Sequence, residues 1–179
     1  MAKISQALAK RLKKIKLLLC DVDGVLTDGC VFIGGAKEFK RFNIRDGLGI
    51  VLARRAGLKV GWVSARPSEA TTLRAKELKI DYLVQQGDHT SKTAAVEELL
   101  AAEKLSWAET CFVGDDIIDF GPLTRAALAV VVGDGVTEAK RVAHYVTQSG
   151  GGQGAVRETV ELILKAQGQW AQFEEKYAE

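Results

Sequence analysis

The chain has 179 residues, of which 47% are hydrophobic and 27% are charged, and its formal net charge is +2 at pH 7. This length and balance are typical of a single globular domain spanning residues 1–179, and the small net charge gives no indication of a nucleic-acid or membrane partner. Three cysteines without a CxxC pair argue against a disulfide framework or a structural zinc site.

The sequence also favours a location inside the cell. No apolar stretch approaches the roughly 18 residues that a transmembrane helix needs. Residues 1–16 contain no apolar segment followed by a cleavage site, so they do not resemble a secretory signal. The odd number of cysteines fits a reducing compartment. We therefore expect a cytoplasmic protein.

Short apolar strands alternate with helices along the chain. Residues 3–14 predict an amphipathic helix, because apolar side chains recur there at four-residue spacing. Residues 15–20 predict a strand that is covered on both faces. Further strands are predicted at 59–64, 82–84, 110–113 and 128–132, with an edge strand at 145–147 and helices between them. Such alternation predicts an α/β fold with a parallel sheet and right-handed crossovers.

Two segments stand apart from this alternation. Residues 30–42 contain two β-prone runs around a pair of glycines and predict a hairpin. The hairpin carries three phenylalanines, Phe32, Phe39 and Phe42. This is more apolar surface than an exposed hairpin should carry. We therefore expect the hairpin to fold over the functional site of the protein or to pack on another subunit. Residues 166–179 are polar with scattered aromatics and predict a frayed helix or a tail that docks on a neighbour.

Polar side chains of complementary chemistry follow the predicted strands. In chain order they are Asp21 and Asp23, Ser64 and Arg66, Lys92, and Asp115 with Asp116 and Asp119. The carboxyl ends of parallel strands share one edge of the sheet, so these groups can converge. Several carboxylates suit Mg²⁺, a cation that prefers oxygen ligands, and a hydroxyl and an ammonium suit an anion beside it. The pattern indicates a phosphoryl-transfer site.

Each of these features also has a purely structural interpretation. The first two acids could cap backbone amides in an Asx turn, and Ser64 could cap the following helix. The acids at 115 and 116 could stabilise a helix N-terminus, and Lys92 could be an ordinary solvated side chain. The structural interpretation requires all of these to coincide at successive strand ends, so the pattern favours the catalytic one.

The chain resembles the haloacid dehalogenase superfamily. Residues 21–29 (DVDGVLTDG), Ser64, Lys92 and residues 114–119 (GDDIID) are similar, in order and spacing, to the four motifs of that family. The resemblance covers nearly the whole chain and implies a three-layer, Rossmann-like parallel sheet. It also implies that Ser64 and Lys92 bind phosphoryl oxygens and that Lys92 restrains the nucleophile.

The resemblance assigns a role to each acid. Asp21 would attack phosphorus and form an aspartyl-phosphate, and Asp23 would protonate the leaving alcohol and then activate water. Asp21, the backbone carbonyl of Asp23 and Asp115 would hold Mg²⁺. Asp116 and Asp119 would supplement the surroundings of the metal. The second acid argues against the dehalogenase branch, which needs no general acid at that position.

A narrower resemblance indicates the substrate. The segment between the first two motifs is too short for a large helical cap, and the hairpin fills it instead. Residues 42–50 (FNIRDGLGI) and 151–158 (GGQGAVRE) resemble the 3-deoxy-D-manno-octulosonate (KDO) 8-phosphate phosphatases. These are capless homotetramers of lipopolysaccharide biosynthesis in which a neighbouring subunit helps to close each site. This resemblance makes Arg66, Arg45 and Thr27 candidates for substrate binding.

Two alternatives remain at this stage. Phosphatases of nine-carbon sugar-acid 9-phosphates share much of the pattern, but they place Gly-Glu where this chain has Ala65-Arg66. A guanidinium at Arg66 could pair bidentately with a sugar-acid carboxylate, which favours the octulosonate. A non-catalytic oligomerisation module, like domains fused to cytidylyltransferases, is the other alternative. A module of that kind does not need the full set of acids, Ser64 and Lys92.

Overall fold

A six-stranded parallel sheet forms the centre of the molecule in the computed structural model, which describes residues 5–34, 37–87 and 91–178. The strands of this sheet are β1 (Leu17–Cys20), β4 (Lys59–Ser64), β5 (Tyr82–Gln85), β6 (Thr110–Gly114), β7 (Leu128–Val131) and β8 (Tyr145–Val146). Their spatial order is β5-β4-β1-β6-β7-β8, and every neighbouring pair is parallel. The predicted α/β fold is confirmed.

Helices cover both faces of the sheet. They are α1 (Gln6–Leu12), α2 (Ile44–Arg55), α3 (Glu69–Leu78), α4 (Lys92–Glu103), α5 (Phe120–Arg125), α6 (Thr137–Val142), α7 (Ala155–Ala166) and α8 (Ala171–Lys176). Short 3₁₀ turns at Trp107–Glu109 and Ile117–Asp119 flank β6. Among the described residues, no helix is long and apolar enough to cross a membrane.

The side chains of the central strand β1 point alternately to the two faces of the sheet and contribute to two separate layers of the core. Leu18 and Cys20 of β1 pack with α1, α2, α7 and α8 on one face, whereas Leu17 and Leu19 pack with α4, α5 and α6 on the other. Successive side chains of a strand point to opposite faces, and both faces of β1 are fully buried. This burial on both faces explains why the sequence of β1 is an unbroken run of apolar residues.

Side-chain caps set the first residue of two helices. Helix α2 begins at Ile44, because the side chain of Asn43 accepts a hydrogen bond from the backbone N–H of Arg45 at 2.7 Å. Helix α3 begins after Ser68, whose hydroxyl accepts from the backbone N–H of Thr71.

The hairpin forms its own two-stranded sheet. Strand β2 (Phe32–Gly34) pairs antiparallel with β3 (Lys37–Phe39), and Phe32 faces Phe39 across the pair. Both phenylalanine side chains remain exposed, by 54% and 64%. The predicted turn at the two glycines includes residue 35, and residues 35 and 36 lie outside the described residues.

The C-terminal segment packs on its own chain, which differs from the predicted frayed or neighbour-docked tail. Trp170 and Phe173 are buried in the core cluster that contains α7. The guanidinium of Arg157 lies 4.8 Å from the centre of the Trp170 ring, and the ammonium of Lys165 lies 5.2 Å from it. Cation–π contacts of this kind hold the indole between two side chains of α7.

Candidate active site

The carboxyl ends of the central strands bring the predicted acids and Lys92 together. Asp21 follows β1, Asp115 follows β6, and Lys92 is the first residue of α4. The ammonium Nζ of Lys92 lies 2.8 Å from Asp21 Oδ1 and 2.7 Å from Asp119 Oδ1. All three of these interacting side chains are almost completely buried. The predicted convergence of Asp21, Lys92 and Asp119 is therefore what the structure contains.

Three carboxylates surround one point next to this ammonium. Oxygens of Asp21, Asp115 and Asp119 all lie within 4.8 Å of one another. Asp115 Oδ1 is buried without a hydrogen-bond partner in the described part of the chain, whereas Asp119 Oδ2 accepts from the backbone N–H of Asp115 at 3.0 Å. A buried acceptor without a partner costs free energy unless a ligand or cation satisfies it. These residues fit a divalent cation that prefers oxygen ligands.

The protonation equilibria reflect this crowding of negative charge. Burial and the neighbouring carboxylate of Asp119 raise the pKa of Asp21 to about 7. Burial and the carboxylates of Asp21 and Asp119 raise the pKa of Asp115 to about 8. Burial alone would lower the pKa of Lys92, but the carboxylates of Asp119 and Asp21 raise it above its usual value. One ammonium does not balance three carboxylates, so the site favours a further cation.

Asp23 faces a different set of partners from Asp21. Its two carboxylate oxygens lie 2.8 and 2.9 Å from Nζ of Lys40, and Nε of Arg66 lies 3.6 Å from Oδ2. The two acids of the first motif therefore point to different parts of the site, because the chain leaves the extended strand after Cys20 and Asp23 lies in the turn that follows. Asp21 belongs to the buried cluster, and Asp23 belongs to its entrance.

The hairpin supplies two side chains that the sequence analysis missed. Lys40 has only 1% of its side chain exposed. Glu38 accepts hydrogen bonds from Arg66 Nη1 at 2.7 Å and from the hydroxyl of Ser68 at 3.1 Å. Burial raises the pKa of Glu38, but the hydrogen bonds from Arg66 and Ser68 outweigh it and leave that pKa below its usual value. Period-two alternation around the exposed Phe39 could have indicated that residues 38 and 40 share the inner face.

Asp116 does not join the cluster of buried carboxylates. Its exposed side chain accepts a hydrogen bond from the backbone N–H of Ile117 at 2.6 Å and caps the 3₁₀ turn that follows. The same turn carries Asp119 back into the cluster. The structure therefore brings Asp119 to the other acids, whereas Asp116 contacts the backbone of the turn.

Thr27 lies in the loop of the first motif, and Arg45 lies beside a separate cleft. The hydroxyl of the buried Thr27 accepts from the backbone N–H groups of Gly24 and Gly29, both at 3.3 Å, and donates to Val22 O at 3.4 Å. Thr27 thus stabilises the loop that carries the first motif. Arg45 borders a cleft of about 790 Å³ beside α1 and α7, and none of the predicted site aspartates lines that cleft.

Ser64 ends β4 at the expected edge of the sheet, but its hydroxyl is occupied locally. It accepts from the backbone N–H of Arg66 at 3.1 Å and donates to the carbonyl of the same residue at 3.0 Å. Ser64 is buried at the strand end. A phosphoryl oxygen that accepts from this hydroxyl would replace the carbonyl of Arg66, which requires only a rotation about the side-chain torsion.

The glycine-rich segment before α7, residues 150–154, packs against the loop of the first motif. The N–H of Gly152 donates to the carbonyl of Val25 at 2.9 Å, and a Cβ at Gly151 would overlap the carbonyl oxygen of Gly24. The carboxylate of Asp46 accepts from the N–H groups at the start of α7, at 2.7 Å for Arg157. Glycine is required at 151 because the backbones approach too closely for any side chain.

Known proteins resemble this chain over most of its length. Residues 81–158 match the family described as haloacid dehalogenase-like hydrolase. A KDO 8-phosphate phosphatase from Yersinia pestis is 38% identical over 165 residues, which cover 92% of this chain and 87% of the relative. Among solved structures, a probable YrbI family phosphatase from Pseudomonas syringae has a TM-score of 0.94 at 38% identity, and the match covers 98% of this chain and 99% of that one.

A second solved structure contains ligands. The KDO 8-phosphate phosphatase from Moraxella catarrhalis, in complex with magnesium, phosphate and KDO, has a TM-score of 0.91 at 34% identity. The match covers 94% of this chain and 97% of that one. Such identity over nearly complete chains shows common descent in sequence as well as in fold. The chain belongs to the haloacid dehalogenase superfamily and, within it, to the family of KDO 8-phosphate phosphatases.

Proposed function

We propose that the protein is a Mg²⁺-dependent phosphomonoesterase that hydrolyses KDO 8-phosphate to KDO and inorganic phosphate. The observation that carries this proposal is the buried cluster in which Lys92 pairs with Asp21 and Asp119, beside an oxygen of Asp115 that has no hydrogen-bond partner in the described part of the chain. The relative from Yersinia pestis bears this activity in its name, and the one from Moraxella catarrhalis binds magnesium, phosphate and KDO.

The residues of the cluster fit a magnesium ion. Asp21 and Asp115 would hold it through carboxylate oxygens and Asp23 through its backbone carbonyl, while Asp119 would orient Lys92 and the backbone of Asp115. When bound, the cation neutralises charge on the transferring phosphoryl group and positions it. The carboxylates also lose the mutual repulsion that raises their pKa values.

Asp21 acts as the nucleophile in this proposal. A carboxylate oxygen of Asp21 attacks phosphorus, the bond to the sugar oxygen breaks, and an aspartyl-phosphate forms. Lys92 holds the attacking carboxylate in place at 2.8 Å and presents its one remaining N–H group to a phosphoryl oxygen. Ser64 donates its hydroxyl to another phosphoryl oxygen once it turns from the carbonyl of Arg66.

Asp23 moves the protons. Its carboxylic acid gives a proton to the oxygen of the leaving sugar, and the resulting carboxylate takes a proton from the water that attacks the aspartyl-phosphate. This second step releases phosphate and restores both Asp21 and the protonated Asp23. Lys40 and Arg66 hold the Asp23 side chain at the entrance, where the sugar oxygen must lie.

Arg66 is the candidate for recognition of the sugar acid. Its Nη2 is buried without a hydrogen-bond partner among the described residues, so one donor of the guanidinium is unused in the ligand-free protein. Its Nε lies 3.6 Å from Oδ2 of Asp23, the residue to which we assign proton transfer to the sugar oxygen. This placement favours an acidic sugar over a neutral one and gives no support to a non-catalytic module.

We also propose the assembly and setting that the family resemblance implies. Residues 1–179 would form one domain, with the hairpin at about 30–42 as a flap and a tail at about 166–179. The exposed Phe32 and Phe39 give the hairpin an apolar outer surface, and a two-stranded hairpin is marginal alone. Both features support association with other copies of the chain, and the family resemblance makes the proposed assembly a homotetramer. A cytoplasmic role in lipopolysaccharide biosynthesis is part of the same proposal.

A panel of phosphate esters tests the function directly. With Mg²⁺ we expect rapid phosphate release from KDO 8-phosphate, slower release from a nine-carbon sugar-acid 9-phosphate and very slow release from small esters. A chelator should stop release, and added Mg²⁺ should restore it. Faster release from the nine-carbon ester would show that this ester, and not KDO 8-phosphate, is the preferred substrate. No release from any ester would favour the non-catalytic module.

The substitution Asp21→Asn should remove activity without unfolding the protein. It takes away the nucleophile at almost constant volume, so kcat should fall by at least about 10³-fold. Asp81→Asn is the matched control, because Asp81 precedes β5 at the opposite edge of the sheet, where it accepts from the N–H of Val60. Thermal melting checks the fold, and activity within tenfold of wild type in Asp21→Asn would contradict the assignment.

The substitution Arg66→Ala should affect acidic sugars selectively. Loss of a charge-assisted pair is expected to lower kcat/KM for KDO 8-phosphate by about 10- to 100-fold. A small ester without a carboxylate should lose less than about threefold. For Arg66→Lys, kcat/KM for KDO 8-phosphate should lie between the values for the wild type and Arg66→Ala, since an ammonium keeps the charge but not the bidentate geometry. Equal losses on both esters would show that Arg66 does not bind the carboxylate.

Magnesium should stabilise the protein more at pH 8 than at pH 6. Folding raises the pKa of Asp21 to about 7 and that of Asp115 to about 8. At pH 6 the metal-free folded protein therefore binds more protons than the unfolded chain, and its free energy of unfolding decreases as the pH rises. Mg²⁺ must displace more protons from these carboxylates at pH 6 than at pH 8. Melting temperatures with and without Mg²⁺ measure this, and Asp115→Asn should reduce the gain. An equal gain at both pH values would contradict the assignment.

A further inference from the structure

The hairpin places a carboxylate on the arginine that we assign to substrate recognition. Glu38 Oε2 lies 2.7 Å from Nη1 of Arg66, and Glu38 Oε1 accepts from the hydroxyl of Ser68 at 3.1 Å. The Nζ of Lys40 lies 3.7 Å from Glu38 as well. Glu38 thus occupies an anion-binding position formed by a guanidinium, a hydroxyl and an ammonium.

Neither edge of the Arg66 guanidinium is available for a second carboxylate. Bidentate pairing needs two N–H groups of one edge. Glu38 lies at Nη1, and the carboxylate of Asp23 lies 3.6 Å from Nε, while Nη2 between them has no partner among the described residues. An incoming carboxylate at either edge would be repelled by the one already there, unless that one moves.

Glu38 is the carboxylate that can move. Strands β2 and β3 form a separate two-stranded sheet that is not hydrogen-bonded to the six-stranded sheet, and such a hairpin is only marginally stable alone. Asp23, in contrast, lies in the loop that the glycine-rich segment braces and is needed for the reaction. Displacement of Glu38 would leave Lys40 in contact with Asp23.

We propose that Glu38 is an internal competitor, which occupies Arg66 in the ligand-free protein and must yield to the carboxylate of the sugar acid. The inference rests on the proposed function, because it assumes that Arg66 binds a sugar acid. A carboxylate for carboxylate exchange leaves no buried donor unpaired. The product KDO keeps the carboxylate of the substrate, so the return of Glu38 to Arg66 weakens product binding and favours release.

Binding of KDO to the Mg²⁺-loaded protein tests this without relying on turnover. In Glu38→Gln the free-state pair is lost while the side chain keeps its size, so the Kd for KDO should fall by about three- to tenfold. KM for KDO 8-phosphate should fall by a similar factor. KM for sorbitol 6-phosphate, a polyol ester without a carboxylate, should not fall to the same extent.

Two comparison variants isolate the competition. In an Arg66→Ala background, Glu38→Gln should no longer lower the Kd, because there is no guanidinium to compete for. Glu97→Gln makes the same chemical change at an exposed glutamate that lies 3.5 Å from Arg125, and it should leave both constants unchanged.

The outcomes separate the inference from the function on which it rests. An unchanged or raised Kd in Glu38→Gln overturns the inference, since Glu38 would then be indifferent or would orient Arg66 for the ligand. Failure of both the wild type and Glu38→Gln to bind KDO overturns it as well. If KDO binds in the predicted manner but KDO 8-phosphate releases no phosphate, the inference stands and the phosphatase function is wrong.

Discussion

The site depends on holding three carboxylates and one ammonium together in a buried position. Lys92 satisfies one oxygen each of Asp21 and Asp119, but Asp115 keeps an oxygen without a partner among the described residues. Burial of unbalanced charge is expensive, so the rest of the fold must keep these groups from separating. The pairing of β1 with β6 places two of the acids, and the 3₁₀ turn after β6 returns the third.

A second layer of charge lies above this buried one and is organised differently. Asp23, Arg66, Lys40 and Glu38 form alternating ion pairs at the entrance. Half of these charges come from the sheet edge and half from the hairpin. The buried layer is therefore held by the main core alone, whereas two of the four charges of the outer layer belong to a hairpin that forms a separate two-stranded sheet. The two layers thus depend on different parts of the fold.

Sequence reasoning placed residues correctly where their position follows from a strand. The unbroken apolar run before Asp21 required a central strand, and the carboxyl end of that strand fixed the edge where the acids meet. Sequence reasoning did not foresee positions that depend on a turn or on packing between distant segments. One 3₁₀ turn separates the exposed Asp116 from the buried Asp119, the hydroxyl of Thr27 bonds within its own loop, and no local pattern places Glu38 next to Arg66.

The contact between the glycine-rich segment and the first motif has a consequence for folding. Gly152 donates to Val25, and Gly151 packs on the carbonyl of Gly24, so the loop that begins with Asp21 is held by residues from the far end of the chain. Long-range contacts of this kind form slowly, because the intervening chain must be ordered first. A refolding chain can therefore regain most of its secondary structure before Asp21 reaches its native position.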